Sequence, residues 1–569
     1  MNHQETLTPG QRFWRLLKPD KREITNIYVY SIFAGLVSLS LPLGIQAIIN
    51  LIQGGQVNTA WVVLVLFVVL GVAVTGVFQI LQLRLTENLQ QRIFSRAAFE
   101  FAYRIPRVKM EELYKHYAPE LMNRFFDTIS VQKGLSKILI DFSTAILQVF
   151  FGLVLLSFYH PFFILFSLVL IISLYVLIRY IARRGLQTSL VESKHKYRMA
   201  HWLEEMARTG TTFRLAGRTD LPLNETDSHV ERYIDARENH FKVLVQQYSL
   251  MVGFKVLVAL GLLAIGGILV MEQLMNIGQF VAAEIIILLI MSSVEKLIMS
   301  LETIYDVLTS LEKIGQVTDL ELESDEGVDL EIECATPGLS VRLRDIRFHY
   351  PNGTKDIIQG LDLNIEPGER VLLTGPNGSG KSTLLSLVAG LYDPQQGNVS
   401  YDDFPKGNLQ LCSLRSVVGD YMTQEDLFEG TLLENLTMGR PAATFENVKW
   451  AVENLGLIEF IERQPKGYET FFDPQGKRLS RSIIQKLLFA RSIVDKPKLL
   501  LLEDAFEHLD PRELKKTIDF ITSPENPWSI LAVSTHPYLA SKADRIHFME
   551  NGKITESGDY EAMKHLFHL

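Results

Sequence analysis

The order of apolar and polar positions divides the chain in two near residue 315. Before that point, six long apolar runs alternate with polar stretches, at 24–52, 60–83, 138–158, 161–181, 249–270 and 277–299. Each is close to the ~20 residues that a helix needs to cross a hydrocarbon core of ~30 Å. Six runs of this length predict a six-helix membrane domain embedded in a lipid bilayer, not the buried helices of one soluble core. The connections are of two kinds. "QGGQVNTA", "YHP" and "MEQLMN" are short and hold no Lys or Arg, whereas 84–137 and 182–248 are long and crowded with both. The positive-inside rule then puts the short connections outside, and the long ones, the N-terminus and the C-terminal half in the cytoplasm. Stretches such as "VESKHKYRMAHWLEEMART" mix helix formers with recurring apolar positions, so the spans are expected to continue as helices below the membrane. Pro42 predicts a kink and Pro161 a turn.

The polar start, 1–23, has five Lys or Arg between Arg12 and Arg22. Its "RFWRLLK" stretch has two readings: an interfacial helix with Phe13, Trp14, Leu16 and Leu17 in the headgroup region, or an ordinary first helix. In the sixth run the carboxylate Glu284, a couple of turns into the span, fits either a contact with cargo or a structural role, by a hydrogen bond or by snorkelling towards the outer surface. Lys255 lies near enough to a span's inner end to snorkel.

Beyond residue 315 the pattern changes. Residues 316–337 are acidic and read as a linker, and 338–569 are long enough for a separate folded domain. That domain opens with "LSVRLRDIRFHYPNG", which alternates like a strand. The apolar strand "RVLLT" follows, then Gly375-Pro-Asn377-Gly378-Ser379-Gly380-Lys381-Ser382-Thr383, then the helix-like "STLLSLVAGL". This is a phosphate-binding loop in the context its mechanism needs. Gly378 and Gly380 let backbone N–H groups curl around phosphate oxygens. Lys381 brings charge to the β- and γ-phosphates, and the Ser382 hydroxyl suits Mg2+. ATP with Mg2+ is the expected ligand pair. The formal charge of −9 gives no basic field for nucleic acid, and Cys334 and Cys412 have neither metal nor disulfide spacing.

With six spans followed by one such domain, the chain resembles a half-transporter of the ATP-binding cassette superfamily, exporter fold, over essentially its whole length. More loosely it resembles bacterial toxin and peptide secretion transporters without their leading peptidase domain. The resemblance implies a multidomain protein: an all-α six-helix transmembrane domain, 24–315, followed by an α/β P-loop ATP-binding cassette, 338–569. It implies a dimer whose coupling segments lie near 115–130 and 207–217, in a bacterial inner (plasma) membrane. Carried over by motif, Tyr350 in "RFHY" would stack on adenine. Gln424 in "YMTQEDLF" would link magnesium and water to the membrane domain. His536 in "LAVSTHP" would meet the γ-phosphate, and Asp510 in "EHLD" would belong to the loop crossing the dimer interface.

Two motifs depart from the family. Where the signature reads Leu-Ser-Gly-Gly-Gln, this chain has "LSRSI", 479–483. Ser480 remains, while Arg481 either adds charge to the partner's phosphate or props the two domains apart. In "LLLLEDAFEHLD" the acids are swapped: Glu503 takes the magnesium position and Asp504 that of the residue activating water. The two acids differ by only ~0.4 pKa unit, about 0.5 kcal/mol. Loss of a methylene withdraws the carboxylate by about 1 Å, which costs ~100-fold in rate. Reach therefore matters more than basicity, and slow hydrolysis is expected. Pairing with an ordinary half-transporter would not collect both departures in one site, so a homodimer is favoured over a heterodimer. The expected function is ATP-dependent export of a peptide, protein, lipid or drug by alternating access. A periplasmic membrane-fusion adaptor is a further expected partner. The competing reading is an ATP-gated scaffold or regulator that moves nothing.

Overall fold

The computed structural model describes residues 7–53, 59–333, 336–422 and 426–567. The chain forms two compact units, Met1–Pro106 with Tyr117–Leu320, and Arg107–His116 with Glu321–Leu569. The first is helical throughout. In chain order it contains α1 (Pro9–Leu17), α2 (Lys21–Ser38), α3 (Ser40–Gln53) and α4 (Thr59–Arg104). After α5 (Met110–Leu113), which belongs to the second unit, come α6 (Ala118–Met122), α7 (Asp127–Lys137), α8 (Ser143–Ser157) and α9 (Pro161–Arg208). The last are α10 (Gly210–Leu215), α11 (Leu221–Gly261), α12 (Gly267–Met271) and α13 (Ile277–Thr318).

Among the described residues five helical stretches are long and apolar enough to cross a membrane, and the apolar start of α9, Pro161–Val176, is a shorter apolar helix where the remaining span was expected. α4 has 46 residues and α9 has 48. At 1.5 Å per residue each is roughly 70 Å long, more than twice a hydrocarbon core, so they continue beyond the apolar run as expected. The α2–α3 break at Leu39 stands one turn before Pro42, whose missing N–H cannot bond back into α2. Pro161 begins α9, with His160 Nδ1 accepting from the Phe162 N–H at 3.2 Å. Along α4, Val62, Val63, Leu66, Phe67, Val69 and Leu70 are exposed, an apolar surface that only lipid or another apolar partner satisfies. Polar pairs join helices inside the apolar zone: Gln82 donates to Ser31 Oγ at 2.8 Å and Ser293 donates to Gln148 at 2.9 Å.

The first helix, for which the sequence leaves two readings, packs against α13. The Thr8 and Gln11 side chains form a capping box. Arg12 forms ion pairs with Glu312 and Asp319 of α13, and Leu17 is buried. Of its apolar residues Phe13, Trp14, Leu16 and Leu17, Trp14 is the exposed one, at 70%. Lys255 does not simply snorkel. Its ammonium meets Glu295 of α13 at 2.5 Å, a pairing that removes the cost of two isolated charges. Glu284 is half-buried. Where α7 crosses α13, a Cβ on Gly134 would lie 2.3 Å from Val307 Cγ2, so the two helices meet backbone to side chain there.

The second unit has two layers of strand. A four-stranded sheet runs β2 (Ile358–Ile365), β1 (Val341–Phe348), β4 (Gln396–Tyr401), β5 (Phe404–Pro405), all antiparallel. A six-stranded sheet has the order β12 (Lys553–Gly558), β11 (Arg545–Glu550), β3 (Arg370–Thr374), β10 (Ser529–Val533), β9 (Leu499–Glu503), β6 (Val418–Tyr421). All but β12 run parallel, and β3, β9 and β10 are near-continuous apolar runs because helices cover both faces of such a sheet. β7 (Gly430–Thr431) and β8 (Phe471–Phe472) form a separate pair.

Two findings differ from the sequence reading of the domain borders. The acidic stretch 316–337 is not a free linker. α13 runs to Thr318, Val108 bridges Leu322, Val328 bridges Leu409, and Leu330 is fully buried. Its carboxylates are used as well, since Glu323 receives both guanidinium nitrogens of Arg415 at 2.6 and 2.7 Å. Charge density hid this, because the segment's few apolar residues anchor it. Second, the stretch that joins the second unit from the long connection is Arg107–His116, at the N-terminal edge of the segment 115–130.

His547 on β11 is 6% exposed, and burial pushes its pKa down to about 4. Between about pH 4 and the ordinary histidine value near 6.5 the unfolded chain binds the proton and the folded one does not. Stability therefore falls as pH drops through that window, by up to about 3 kcal/mol. Replacing His547 by Gln is expected to flatten the dependence of the thermal midpoint on pH between 6.5 and 4. An unchanged slope would assign the acid sensitivity to other groups.

Candidate nucleotide site

The parallel order of the six-stranded sheet brings the sequence motifs to one edge. β3 leads into the phosphate loop, β10 into Ser534 and His536, β9 into Glu503 and Asp504, and β6 towards Gln424. Gln424 itself lies outside the described residues. Ligands in such sheets bind at the carboxyl ends of the strands, and here the adjacent ends of β3, β10 and β9 carry polar groups.

The phosphate loop needs glycine for space as well as for curvature. At Gly375, φ is +143°, and a Cβ there would lie 2.1 Å from the Met549 carbonyl oxygen. At Gly380, φ is +102°, and a Cβ would meet Ile358 Cδ1 at 2.9 Å just where α15 (Lys381–Val388), which follows α14 (Leu330–Glu333), begins. Asn377, Gly378 and Ser382 are exposed, while Ser379 and Thr383 are buried. The Lys381 ammonium donates to the Gly375 and Pro376 carbonyls at 2.9 and 2.8 Å and approaches Ser379 Oγ at 3.3 Å. Burial pushes the Lys381 pKa down, and the charges of Asp504 and Glu503 push it back up. Those two acids and the lysine thus share one field.

Asp504 has φ of +47°, a left-handed backbone just past β9, held by its N–H donating to the Val533 carbonyl at 3.1 Å. Among non-glycine residues Asp and Asn tolerate that region best, which is a local physical reason for the shorter acid here. Its carboxyl pKa is raised, first by desolvation and then by the charges of Glu507 and Glu503, against the pull of Lys381. His536 has Nδ1 committed as acceptor from the Tyr538 N–H at 3.2 Å. In the neutral ring the proton is then on Nε2, which is free to donate, and burial holds the pKa below the ordinary histidine value.

Tyr350 donates or accepts at Thr383 Oγ1, 3.2 Å away, and Phe348 and Tyr392 stand edge-on to its ring. The structure adds a residue that motif reading missed. Tyr114, just after α5, stacks on Tyr350 with ring centroids 5.1 Å apart and planes 11° from parallel. The same segment is tied down by Glu111, which accepts from the Asp393 N–H at 3.1 Å, and by Lys109, which meets Glu321 at 2.5 Å. Nothing in "ELYKHY" signals this, because the contact joins residues far apart in sequence.

Ser480 caps the helix Arg481–Ile493, its Oγ accepting from the Ile483 N–H at 3.3 Å. That helix packs on β6 and on the helix Leu432–Thr437, while Arg481 is exposed. Asp510 is exposed at the start of the helix Pro511–Ile521.

The sheet edge, the loop and the preceding helical spans define a membrane protein with one ATP-binding domain. The model described as ABC transporter transmembrane region matches residues 24–294, and that described as ABC transporter matches 358–507. The chain belongs to the ABC transporters, as a half-transporter: one multi-pass transmembrane domain followed by one domain that binds ATP. It is 32% identical over 329 residues to an ATP-dependent lipid A-core flippase of Chromohalobacter salexigens, covering 57% of this chain and 56% of that protein. It is 32% identical over 258 residues to the protein of the same name from Chromobacterium violaceum, covering 45% and 43%. A putative multidrug export ATP-binding/permease protein of Bacillus subtilis is 28% identical over 370 residues, covering 63% and 62%. The chain thus spans less than two thirds of each of these relatives. The structure of a bacterial Atm1-family ABC exporter with ATP bound superposes with a TM-score of 0.84, covering 96% of both chains at 19% identity, a likeness of fold. Half-transporters of this fold typically act as dimers.

Proposed function

We propose that this chain is an ATP-driven exporter of a bacterial inner membrane, working as a homodimer with slow hydrolysis. The observation that carries this reading is the grouping of Lys381, Asp504 and Glu503 in one electrostatic field at the sheet edge, behind a glycine-built phosphate loop. In it, Lys381 leaves the Gly375 and Pro376 carbonyls for the β- and γ-phosphates, and loop N–H groups hold the remaining oxygens. Ser382 and Glu503 would hold Mg2+, which suits a hydroxyl and one carboxylate beside phosphate oxygens and water, and it would neutralise phosphate charge. Asp504 orients the attacking water and takes its proton, and His536 donates from Nε2 to the γ-phosphate. Ser480 and Arg481 act on the nucleotide of the other subunit. Closure is driven by binding, so a slow chemical step still permits a transport cycle.

The test is ATP-dependent movement of candidate cargo in sealed inverted vesicles, comparing wild type with Lys381→Ala. Flux in the wild type alone supports export. Nucleotide-dependent binding of a partner without any flux would replace export by the scaffold reading.

Tyr114 makes a second prediction at this site. An adenine ring slotted between two aromatic rings needs them about 7 Å apart, two contact distances of ~3.5 Å. At 5.1 Å between centroids, Tyr114 must leave the Tyr350 face before the base stacks there. Aromatic pairing is worth about 0.5–1.5 kcal/mol, so Tyr114→Ala is expected to tighten ATP binding by roughly 2- to 10-fold. Titration with a fluorescent ATP analogue measures it. Weaker binding would instead make Tyr114 part of the base site.

A further inference from the structure

Asp504 opens a short loop, residues 504–510, that leads from β9 to the helix Pro511–Ile521. The loop starts in the left-handed turn at Asp504, a conformation that a non-glycine residue keeps only where its surroundings over-determine it. At the near end the Asp504 N–H donates to the Val533 carbonyl of β10. In the middle Ala505 and Phe506 are buried, with the ring centroids of Phe506 and Phe489 6.2 Å apart. At the far end the His508 N–H donates to the side-chain carbonyl of Gln485 at 3.2 Å. Asp504, Glu507 and His508 are themselves exposed, so packing of their side chains does not fix the loop.

Gln485 and Phe489 stand four residues apart on the helix Arg481–Ile493, so they share one face of it, and both address this loop. Gln485 is 3% exposed. Burying an amide costs free energy unless it is hydrogen-bonded, and an apolar side chain would fill the same space without that cost. Packing alone therefore does not account for an amide here. Its neighbour Lys486 is also buried, and its ammonium meets Glu513, in the first turn of the helix after the loop, at 2.6 Å. Lys486 thus holds the helix that follows the loop, and Gln485 holds the loop itself.

We propose that Gln485 is a positioning residue for Asp504: by accepting the His508 N–H it holds the loop against the helix Arg481–Ile493 and keeps the Asp504 carboxylate within reach of the attacking water. This rests on the reading of Asp504 as the residue that takes the water's proton. Without the acceptor the far end of the loop loses its backbone tie, and the turn at Asp504 relaxes towards ordinary backbone geometry. The carboxylate then moves, and a displacement of about 1 Å costs ~100-fold in rate. Nucleotide binding is untouched, because the phosphate loop and Tyr350 lie on other elements.

The test uses the full-length protein in nanodiscs, with phosphate release at saturating Mg-ATP and titration with a fluorescent ATP analogue. Gln485→Leu, which keeps the bulk and removes the acceptor, is expected to lower turnover about tenfold or more while affinity stays within about twofold of wild type. Gln485→Glu keeps a carbonyl oxygen in either protonation state and should recover most of that loss. In the Asp504→Ala background Gln485→Leu should change the residual turnover by less than about twofold, because a residue that acts through Asp504 has nothing left to position. The proposal is overturned by unaltered turnover in Gln485→Leu, by equal losses in the Leu and Glu variants, by affinity falling in step with turnover, or by the full loss persisting without Asp504. Should Gln485→Leu not fold, Gln485→Asn, whose acceptor is drawn back by about 1 Å, carries the same expectations. Equal turnover in wild type and Asp504→Ala would remove the reading of Asp504 and this inference with it, whereas a loss in Asp504→Ala without one in Gln485→Leu removes Gln485 alone.

Discussion

Asp504→Ala is expected to lower ATP turnover of the purified protein by about 100-fold or more, the range for losing a positioned general base. Asp504→Glu is the more informative change. If reach limits the rate, the longer side chain should raise turnover about tenfold or more, because a misplacement of about 1 Å is worth ~100-fold. The gain should fall short of that full factor, since position 504 is left-handed at φ +47° and Glu tolerates this less well than Asp. Phosphate release under saturating ATP measures both variants. Equal turnover in wild type and Asp504→Ala would remove this residue from the chemistry. The pH profile supplies an independent check. A base must be ionised, and the Asp504 pKa is raised by desolvation and by Glu507 and Glu503. Turnover should therefore fail on acidification at a higher pH than an ordinary aspartate would give.

Lys381→Ala is expected to weaken ATP binding by roughly 10- to 100-fold, since a hydrogen bond to a charged group contributes about 1.5–3 kcal/mol. Two losses add here. The ammonium is the loop's own clasp, bonded to the Gly375 and Pro376 carbonyls, and it is also the cation nearest to where phosphate would sit. Burial already holds its pKa below the usual lysine value while Asp504 and Glu503 sustain its charge. Removing it leaves those acids facing the phosphates without compensation, so the effect should exceed that of neutralising a surface lysine. A fluorescent-nucleotide titration decides it. Binding within twofold of wild type would show that the loop's N–H groups suffice.

How much of this could be read from the sequence follows from the range of the interactions. The six spans were legible because hydrophobic length is local, and "RVLLT" with its glycines announced β3 and the loop because turn chemistry is local. The edge where Lys381, Asp504 and His536 meet was legible only through motif order, since nothing within one segment states that β3, β10 and β9 are neighbours. Three things escaped. Glu295 was not paired with Lys255, because an ion pair between two spans has no signature in either. The segment 316–337 looked like a linker by charge, although Leu330 buries it. Tyr114 was invisible because its role is defined by Tyr350, more than two hundred positions away.

The membership of Arg107–His116 in the ATP-binding unit has a practical consequence for anyone who wishes to study that unit in isolation. A fragment begun at residue 321 would keep every recognised motif and still be missing a piece of its own surface. Val108, 3% exposed in the whole chain, would leave a bare patch beside Leu322, and Glu321 would lose both the backbone and the ammonium of Lys109. Tyr350 would also stand uncovered. Such a fragment would report an affinity for ATP that belongs to the cut, and supplying 107–116 as a tethered peptide would be the way to recover the property of the intact chain.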